Sequence, residues 1–200
     1  MLDLVYKLRM TPETTDSLPS MSYAVVKNLL RSNKIQELHT VLEDRLNYGI
    51  FLDYHMTNIL LDYFWKKKDF ISGARIASHS MLQEDPEHAI TYNLSLLHCY
   101  NCLLSKGEWH QPPGPEEPEE EVKIRVKYIR NEYDDQHFDL KDCKKLIGKT
   151  LMYLTKGKSD ELSNSFFILG ASLFGAIHKA NEKLSSSQKS NLTLFREILI

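Results

Sequence analysis

The chain has 200 residues, 42% of them apolar, and a formal net charge of −2 at pH 7. That is enough apolar content for one continuous core or a short array of repeats. No apolar run approaches the ~20 residues that cross a bilayer as a helix, so no membrane span is expected. Three cysteines, Cys99, Cys102 and Cys143, are an odd number with no secretory signal ahead of them, which reads as reduced thiols.

From the N-terminus, Leu2, Leu4, Val5 and Leu8 pattern as the tail of an amphipathic helix that stops before Pro12, and residues 11–20 read as a loop. The next stretch is written twice at a spacing of 35. Val25, Val26, Leu29, Asn33-Lys34-Ile35, Leu38, Leu42 and Leu46 stand above Leu60, Leu61, Phe64, Lys68-Asp69-Phe70, Gly73, Ala77 and Met81. A third copy begins with Asn93, Leu96 and Cys99 beneath Asn58, Leu61 and Phe64. A fixed period in the thirties, with apolar residues three and four apart, marks stacked helix pairs, because one pair cannot bury its apolar face alone. Leu29 and Phe64 are therefore expected to be buried.

The predicted helices are 20–32 with Ser20 or Ser22 as N-cap, then 35–48 stopped by Gly49 as a left-handed residue. Helices over 55–67 and 70–83 follow, with Pro86 enforcing a break, and the next runs 88–105 up to Gly107. Beyond it, Pro112-Pro113-Gly114-Pro115 and the glutamates Glu116, Glu117, Glu119, Glu120 and Glu121 read as an acidic, extended loop. Val122, Ile124, Val126 and Tyr128 alternate with charged residues, a period of two that reads as an extended crossing segment or a distorted helix. Asp139 is the expected N-cap of a helix over 140–155. A long helix is expected over 160–184, where Gly170-Ala171 and Gly175-Ala176 allow a close helix neighbour. Ser185-Ser186-Ser187 reads as a loop, and 192–199 as a last short helix. The division is thus helical repeats over 1–107, an acidic Pro-rich loop over 108–121, a helical continuation over 122–184 and a tail over 185–200.

Few residues invite chemistry. His98-Cys99-x-x-Cys102 offers two or three metal ligands, but no second Cys/His pair completes a four-ligand zinc site, and Cys99 reads as a small core residue at the place of Phe64 and Leu29. Gly148-Lys149-Thr150 looks like the end of a phosphate-binding loop, yet Cys143 stands where that loop needs glycine. His39, His55, His79, His88, His110, His137 and His178 are scattered, with no nucleophile and acid at suggestive spacing. No catalytic group, cofactor or small-molecule substrate is implied. Lys66-Lys67-Lys68 at a turn reads either as a phosphate grip or as a solvated edge. From Val122 to Lys158, ten Lys or Arg stand against five Asp or Glu, a basic stretch that suits phosphate neighbours or simply solvated helix faces.

The 35-residue period, Tyr48-Gly49-Ile50-Phe51-Leu52-Asp53 at the end of the first copy and Thr91-Tyr92-Asn93 at the start of the third resemble the pentatricopeptide repeat. The Trp-Leu-Gly-Tyr-Ala-Phe-Pro pattern of the related 34-residue repeats is missing. Tyr48 to Phe51, Asp53, Asn58, Leu60, Asp62, Phe64, Lys66-Lys67, Met81 and Gln83-Glu84 more closely resemble the pentatricopeptide-repeat subunits of the mitochondrial small ribosomal subunit. The resemblance implies a right-handed, all-α solenoid that is not an enzyme. It further implies ribosomal RNA and small-subunit proteins as partners and the mitochondrial matrix as compartment. It also implies two base-reading positions per repeat, here Tyr23 with Asp53 and Asn58 with His88, with Asn93 alone in an interrupted third repeat. Tyr23 and His88 depart from the usual small polar residues, and Asn58 reads equally as a polar residue near a helix start. Met1-Leu2-Asp3 lacks the character of a transit peptide, and the chain is expected to begin mid-array, as a shortened form. A free-standing organellar RNA-binding repeat protein and a protein-binding helical scaffold are the alternative readings.

Overall fold

The computed structural model describes residues 2–84, 88–106, 142–189, 193–195 and 198. The acidic loop over 108–121, the alternating stretch over 122–138 and Asp139 lie outside the described residues. Among those described there are ten α-helices and no strand, so the expected all-α class holds. The helices are α1 Leu2–Arg9, α2 Pro19–Arg31, α3 Ile35–Glu43, α4 Arg45–Tyr48, α5 Tyr54–Lys67, α6 Phe70–Leu82, α7 Ala89–Leu104, α8 Cys143–Leu154, α9 Glu161–Phe174 and α10 Ile177–Lys189, with a 3-10 turn over Pro12–Asp16. They fall into two compact units, Met1–Leu60 and Leu61–Ile200.

The 35-residue period is written in the backbone. Helices α2, α5 and α7 start at Pro19, Tyr54 and Ala89, and α3 and α6 start at Ile35 and Phe70. The turns agree bond for bond. Lys34 N–H donates to the Leu29 carbonyl (3.0 Å) and Asn33 N–H to Leu30 (3.1 Å), while Asp69 N–H donates to Phe64 (2.9 Å) and Lys68 N–H to Trp65 (3.0 Å). These crossed pairs satisfy the last carbonyls of a helix by turning one residue left-handed. That residue is Asn33 at φ 52° and Lys68 at φ 57°. Asp69 then caps α6 by accepting from Ser72 N–H at 3.0 Å, whereas Lys34 at the matching place gives α3 no side-chain cap. Leu29 and Phe64 are both fully buried, as expected.

In the first unit, Val25, Val26, Leu38, Val41, Leu42 and Ile50 are buried apolar residues. Helix α1 packs on α4 through Tyr6 edge-on to Tyr48 and Arg9 Nε donating to the Leu46 carbonyl. Gly49 takes the left-handed C-terminal position at φ 67°, as read from the sequence. The helix expected over 35–48 is instead broken at Asp44, which lies between α3 and α4. Helix α2 begins one residue early because Pro19 fits the first helical position, and its N-cap is Leu18 rather than Ser20 or Ser22. Part of the loop expected over 11–20 is the 3-10 turn.

In the second unit, Ala74, Ala77, Met81, Leu96, Cys99, Cys102, Cys143, Ile147, Leu151 and Phe166 form one core. Helix α8 is capped by Asp142, whose Oδ1 accepts from Lys144 N–H at 2.8 Å, so it starts three residues later than the Asp139 reading placed it. The long helix expected over 160–184 is two helices. Gly175, at φ 86° with nothing near its missing side chain, ends α9 rather than seating a neighbour. Ser185-Ser186-Ser187 are helical within α10, each hydroxyl folded back on a carbonyl three or four residues earlier. Thr193–Phe195 are not helical, which removes the continuous helix expected over 192–199.

Lys68 holds a backbone conformation that costs an ordinary residue about 1–2 kcal/mol and costs asparagine less. Lys68→Gly, after glycine's own entropic penalty, is expected to stabilise the protein by about 0.5–1 kcal/mol, and Asn33→Gly to change it little. Urea denaturation of both variants checks the contrast. Equal effects would mean that the two turns do not share this strain.

Candidate nucleic-acid interface

The residues singled out for base reading sit at helix starts, and two of them are occupied there. Asp53 precedes α5 and its Oδ1 accepts from Met56 N–H at 2.7 Å. His88 is the N-cap of α7, with Nδ1 3.4 Å from Thr91 N–H and 3.1 Å from Thr91 Oγ1. Their shared spacing of 35 therefore has a structural cause, since each caps the helix that opens the next copy. Asn58 is half-buried on α5. Asn93 is exposed on α7, its Nδ2 donating to the Ala89 carbonyl at 2.9 Å.

Tyr23 is a half-buried ring on α2. It stacks on His55 with centroids 5.9 Å apart, and its hydroxyl accepts from Lys27 Nζ at 3.0 Å. With Val26, Lys27, Leu30, Met56 and Ile59 it lines an apolar cleft of about 80 Å³ in the first unit, too small for a base without opening. Of the three consecutive lysines, Lys66 pairs with Asp62 one turn back, and Lys67 Nζ lies 4.5 Å from the Tyr63 ring centroid. Lys68 is the left-handed turn residue. All three are exposed, and surface ion pairs of this kind are weak enough to exchange for a phosphate.

A buried histidine ties three helices of the second unit together. His98 on α7 has its Nε2 2.9 Å from the Leu61 carbonyl of α5. A carbonyl only accepts, so the neutral ring carries its proton on Nε2 and leaves a lone pair on Nδ1. The ring lies edge-on to Trp65, beside Phe70, and flat over Gly73 of α6, where a Cβ would come within 2.0 Å of Nδ1. Burial holds this imidazole below the usual histidine range, against the opposite pull of the Leu61 carbonyl and Asp69. The neighbouring thiols are equally closed to chemistry. Burial, with smaller contributions from Cys143 and Asp69, pushes Cys102 up to about 11, and burial raises Cys99 further. Both stay protonated at neutral pH. Among the described residues no group of three or more His, Cys, Asp or Glu could hold a metal ion.

The structure also gathers lysines that no single motif joined. Gly148 of α8 and Gly170 of α9 meet backbone to backbone: a Cβ at either would lie 2.7 Å from the other's carbonyl oxygen. Lys149, next to Gly148, therefore rests on α9 with Nζ 5.0 Å from the Phe174 ring centroid. Its pKa is lowered first by burial, then by Lys179 of α10 and by Lys156. In the sequence, Lys149 and Lys156 fall within the basic excess over 122–158, Lys149 also stands in Gly148-Lys149-Thr150, and Lys179 carried no signal.

Within the described residues, then, the chain is an all-helical protein built on a 35-residue helix–turn–helix period, with lysines at helix ends and turns and no catalytic constellation. The family model described as mitochondrial 28S ribosomal protein S27 matches residues 1–199. The chain belongs to that family. Membership makes it a component of the mitochondrial small ribosomal subunit, in the mitochondrial matrix, with ribosomal RNA and ribosomal proteins as partners. No described helix is long and apolar enough to cross a membrane.

Two outcomes check this geometry. Gly73→Ala is expected to destabilise the protein by about 2–3 kcal/mol, because the new methyl displaces a buried ring, and adding His98→Ala should recover part of that loss. A second loss larger than the first would mean that Gly73 and His98 do not compete for space. The second outcome follows from proton linkage. A histidine whose pKa is lowered by folding binds its proton more readily when unfolded, so its contribution is full above about pH 6.5 and declines as pH falls below that value. Thermal melts from pH 7.5 to 5 should show that decline, and His98→Gln should flatten it. An identical pH profile in the variant would remove His98 from the account.

Proposed function

We propose that the chain is an architectural subunit that holds ribosomal RNA and neighbouring proteins through the exposed faces of a right-handed helical-repeat array. The carrying observation is the family match over residues 1–199, and the helix starts at Pro19, Tyr54 and Ala89 support the repeat reading. In this reading the array takes in residues 1–107 and resumes after the acidic segment. RNA is gripped by its backbone more than by its bases. Asp53 and His88 are engaged as caps, Tyr23 is stacked and bonded within its own unit, and Asn58 and Asn93 alone give little base preference. Lys66, Lys67 and Lys68 serve as phosphate contacts. Neighbouring proteins have a surface to meet on α7, where Ile90, Leu97 and Leu104 recur at seven-residue spacing and are 57%, 37% and 56% exposed.

The test is sedimentation of mitochondrial lysate on a sucrose gradient, with the chain followed through the fractions. It is expected with the small subunit, and Asn58→Ala with Asn93→Ala should leave incorporation nearly unchanged. A chain that sediments free of the subunit and binds single-stranded RNA tightly, with binding lost on Asn58→Ala, would establish a free-standing RNA-binding repeat protein instead.

A further inference from the structure

Helix α8 carries Lys145 and Lys149 one turn apart on the same side, and Lys156 stands in the turn that follows the helix. The Gly148–Gly170 contact brings α8 onto α9, and the Lys149 ammonium lies 5.0 Å from the Phe174 ring centroid. Gly175 then turns the chain into α10, which carries Lys179, close enough to Lys149 to act on its charge, and Lys183. Lys183 Nζ donates to the Lys158 carbonyl at 3.2 Å and lies 5.7 Å from the Phe167 centroid, and Lys158 Nζ sits 3.0 Å above the centre of the Tyr92 ring. Ammonium groups held over aromatic faces are attracted by the ring quadrupole, which limits their freedom.

Two nearby carboxylates bond to backbone amides, and one of them, Asp160, is also drawn to Lys158. Asp160 accepts from Ser163 N–H at 2.9 Å and Glu161 from Thr193 N–H at 3.2 Å. Glu182, on α10, makes no ion pair among the described residues, and neither do Lys149, Lys156 and Lys179. Like charges gathered in this way, with no ion pair to Lys149, Lys156 or Lys179 among the described residues, repel one another, and an external polyanion relieves the repulsion.

We propose that Lys149, Lys156 and Lys179, flanked by Lys158 and Lys183, form a phosphate-binding surface for an RNA backbone. The proposal deepens the ribosomal reading and rests on it for the presence of RNA. The surface offers point charges without the amide or guanidinium forks that read base edges, so it holds the backbone without choosing a sequence. It is separate from the Lys66-Lys67-Lys68 turn, where Lys66 already has a carboxylate partner.

The experiment titrates the full chain with a fluorescein-labelled 20-nucleotide poly(U) at several salt concentrations. The log affinity of a single strand falls against log salt with a slope of about 0.7 per phosphate contact. Lys149→Gln/Lys156→Gln/Lys179→Gln should therefore reduce that slope by about 2, with a circular-dichroism melt confirming the fold. Should the triple variant fail to fold, Lys156→Gln/Lys179→Gln spares Lys149 and should reduce the slope by about 1.4. An unchanged slope, or no RNA binding by the parent chain at low salt, overturns the proposal. So does competition by a poly-glutamate of equal charge at the same strength as unlabelled poly(U), which would make the surface a generic anion site or one for an acidic protein segment. The ribosomal reading is read separately. A variant with an unchanged slope that still co-sediments with the small subunit defeats this surface alone, whereas a parent chain absent from those fractions defeats the reading beneath it.

Discussion

Two helix contacts made through glycine govern the second unit. At Gly73 the absent side chain is replaced by the His98 ring, and at Gly148 and Gly170 it is replaced by the facing backbone. A methyl at any of these positions would overlap a neighbour inside normal contact distance, and a close-packed interior has little room to move aside. Glycine inside a helix costs about 1 kcal/mol relative to alanine. Three such positions persist in helices α6, α8 and α9, where the apolar surface buried by the approach offsets that cost. The consequences run outward. His98 reaches the Leu61 carbonyl only because it can lie on α6, and Met152, Ile168, Ala171 and Ala180 close into their own small core beside the α8–α9 contact. Lys149 is carried onto Phe174 by the same approach. Packing and charge placement are one event here.

This arrangement bears on how a small helical protein contributes to a ribonucleoprotein particle. Positions that would read bases in a long array are spent on capping: Asp53 and His88 each hold the first turn of a helix. In the proposed function, charge at helix ends and turns is what meets RNA, and such contact is salt-sensitive and sequence-tolerant. The exposed Ile90, Leu97 and Leu104 of α7 fit the same economy, since single apolar residues on a helix face become useful when neighbouring proteins cover them.

Much of the fold was legible in the sequence, for reasons that can be named. The period of 35 placed Leu29 and Phe64 in equivalent buried positions and gave the starts of α3 and α6 to the residue. Local spacing carries that information, because a helix pair must bury the same face in every copy. Breaks inside apparently continuous helices were not legible. Gly175 reads equally as a packing contact or as a left-handed stop, and only the neighbouring chain decides between them; the same glycine reading was right at Gly170. Asp44 breaks the 35–48 helix with no proline or glycine to announce it. The serines Ser185 to Ser187 favour loops by propensity, yet back-bonding to earlier carbonyls keeps them helical. The lysine group was illegible for a different reason. Lys149 and Lys179 are thirty residues apart and share no motif, and only the glycine contact between α8 and α9 brings them together. The resemblance found the family, and of the residues it carried over as base readers, Tyr23, Asp53, His88 and Asn93 make local hydrogen bonds in this chain.

The central claim is that tight glycine packing forces unpaired lysines together on α8 and α10. The most direct measurement is the titration of Lys149 by NMR in protein labelled with carbon-13 at lysine. Burial, Lys179 and Lys156 all act to lower its pKa, so its resonance should titrate clearly below the usual lysine value of about 10.4, and Lys179→Gln should move it back toward that value. A Lys149 that titrates together with the solvent-exposed lysines, and does not respond to Lys179→Gln, would contradict the account.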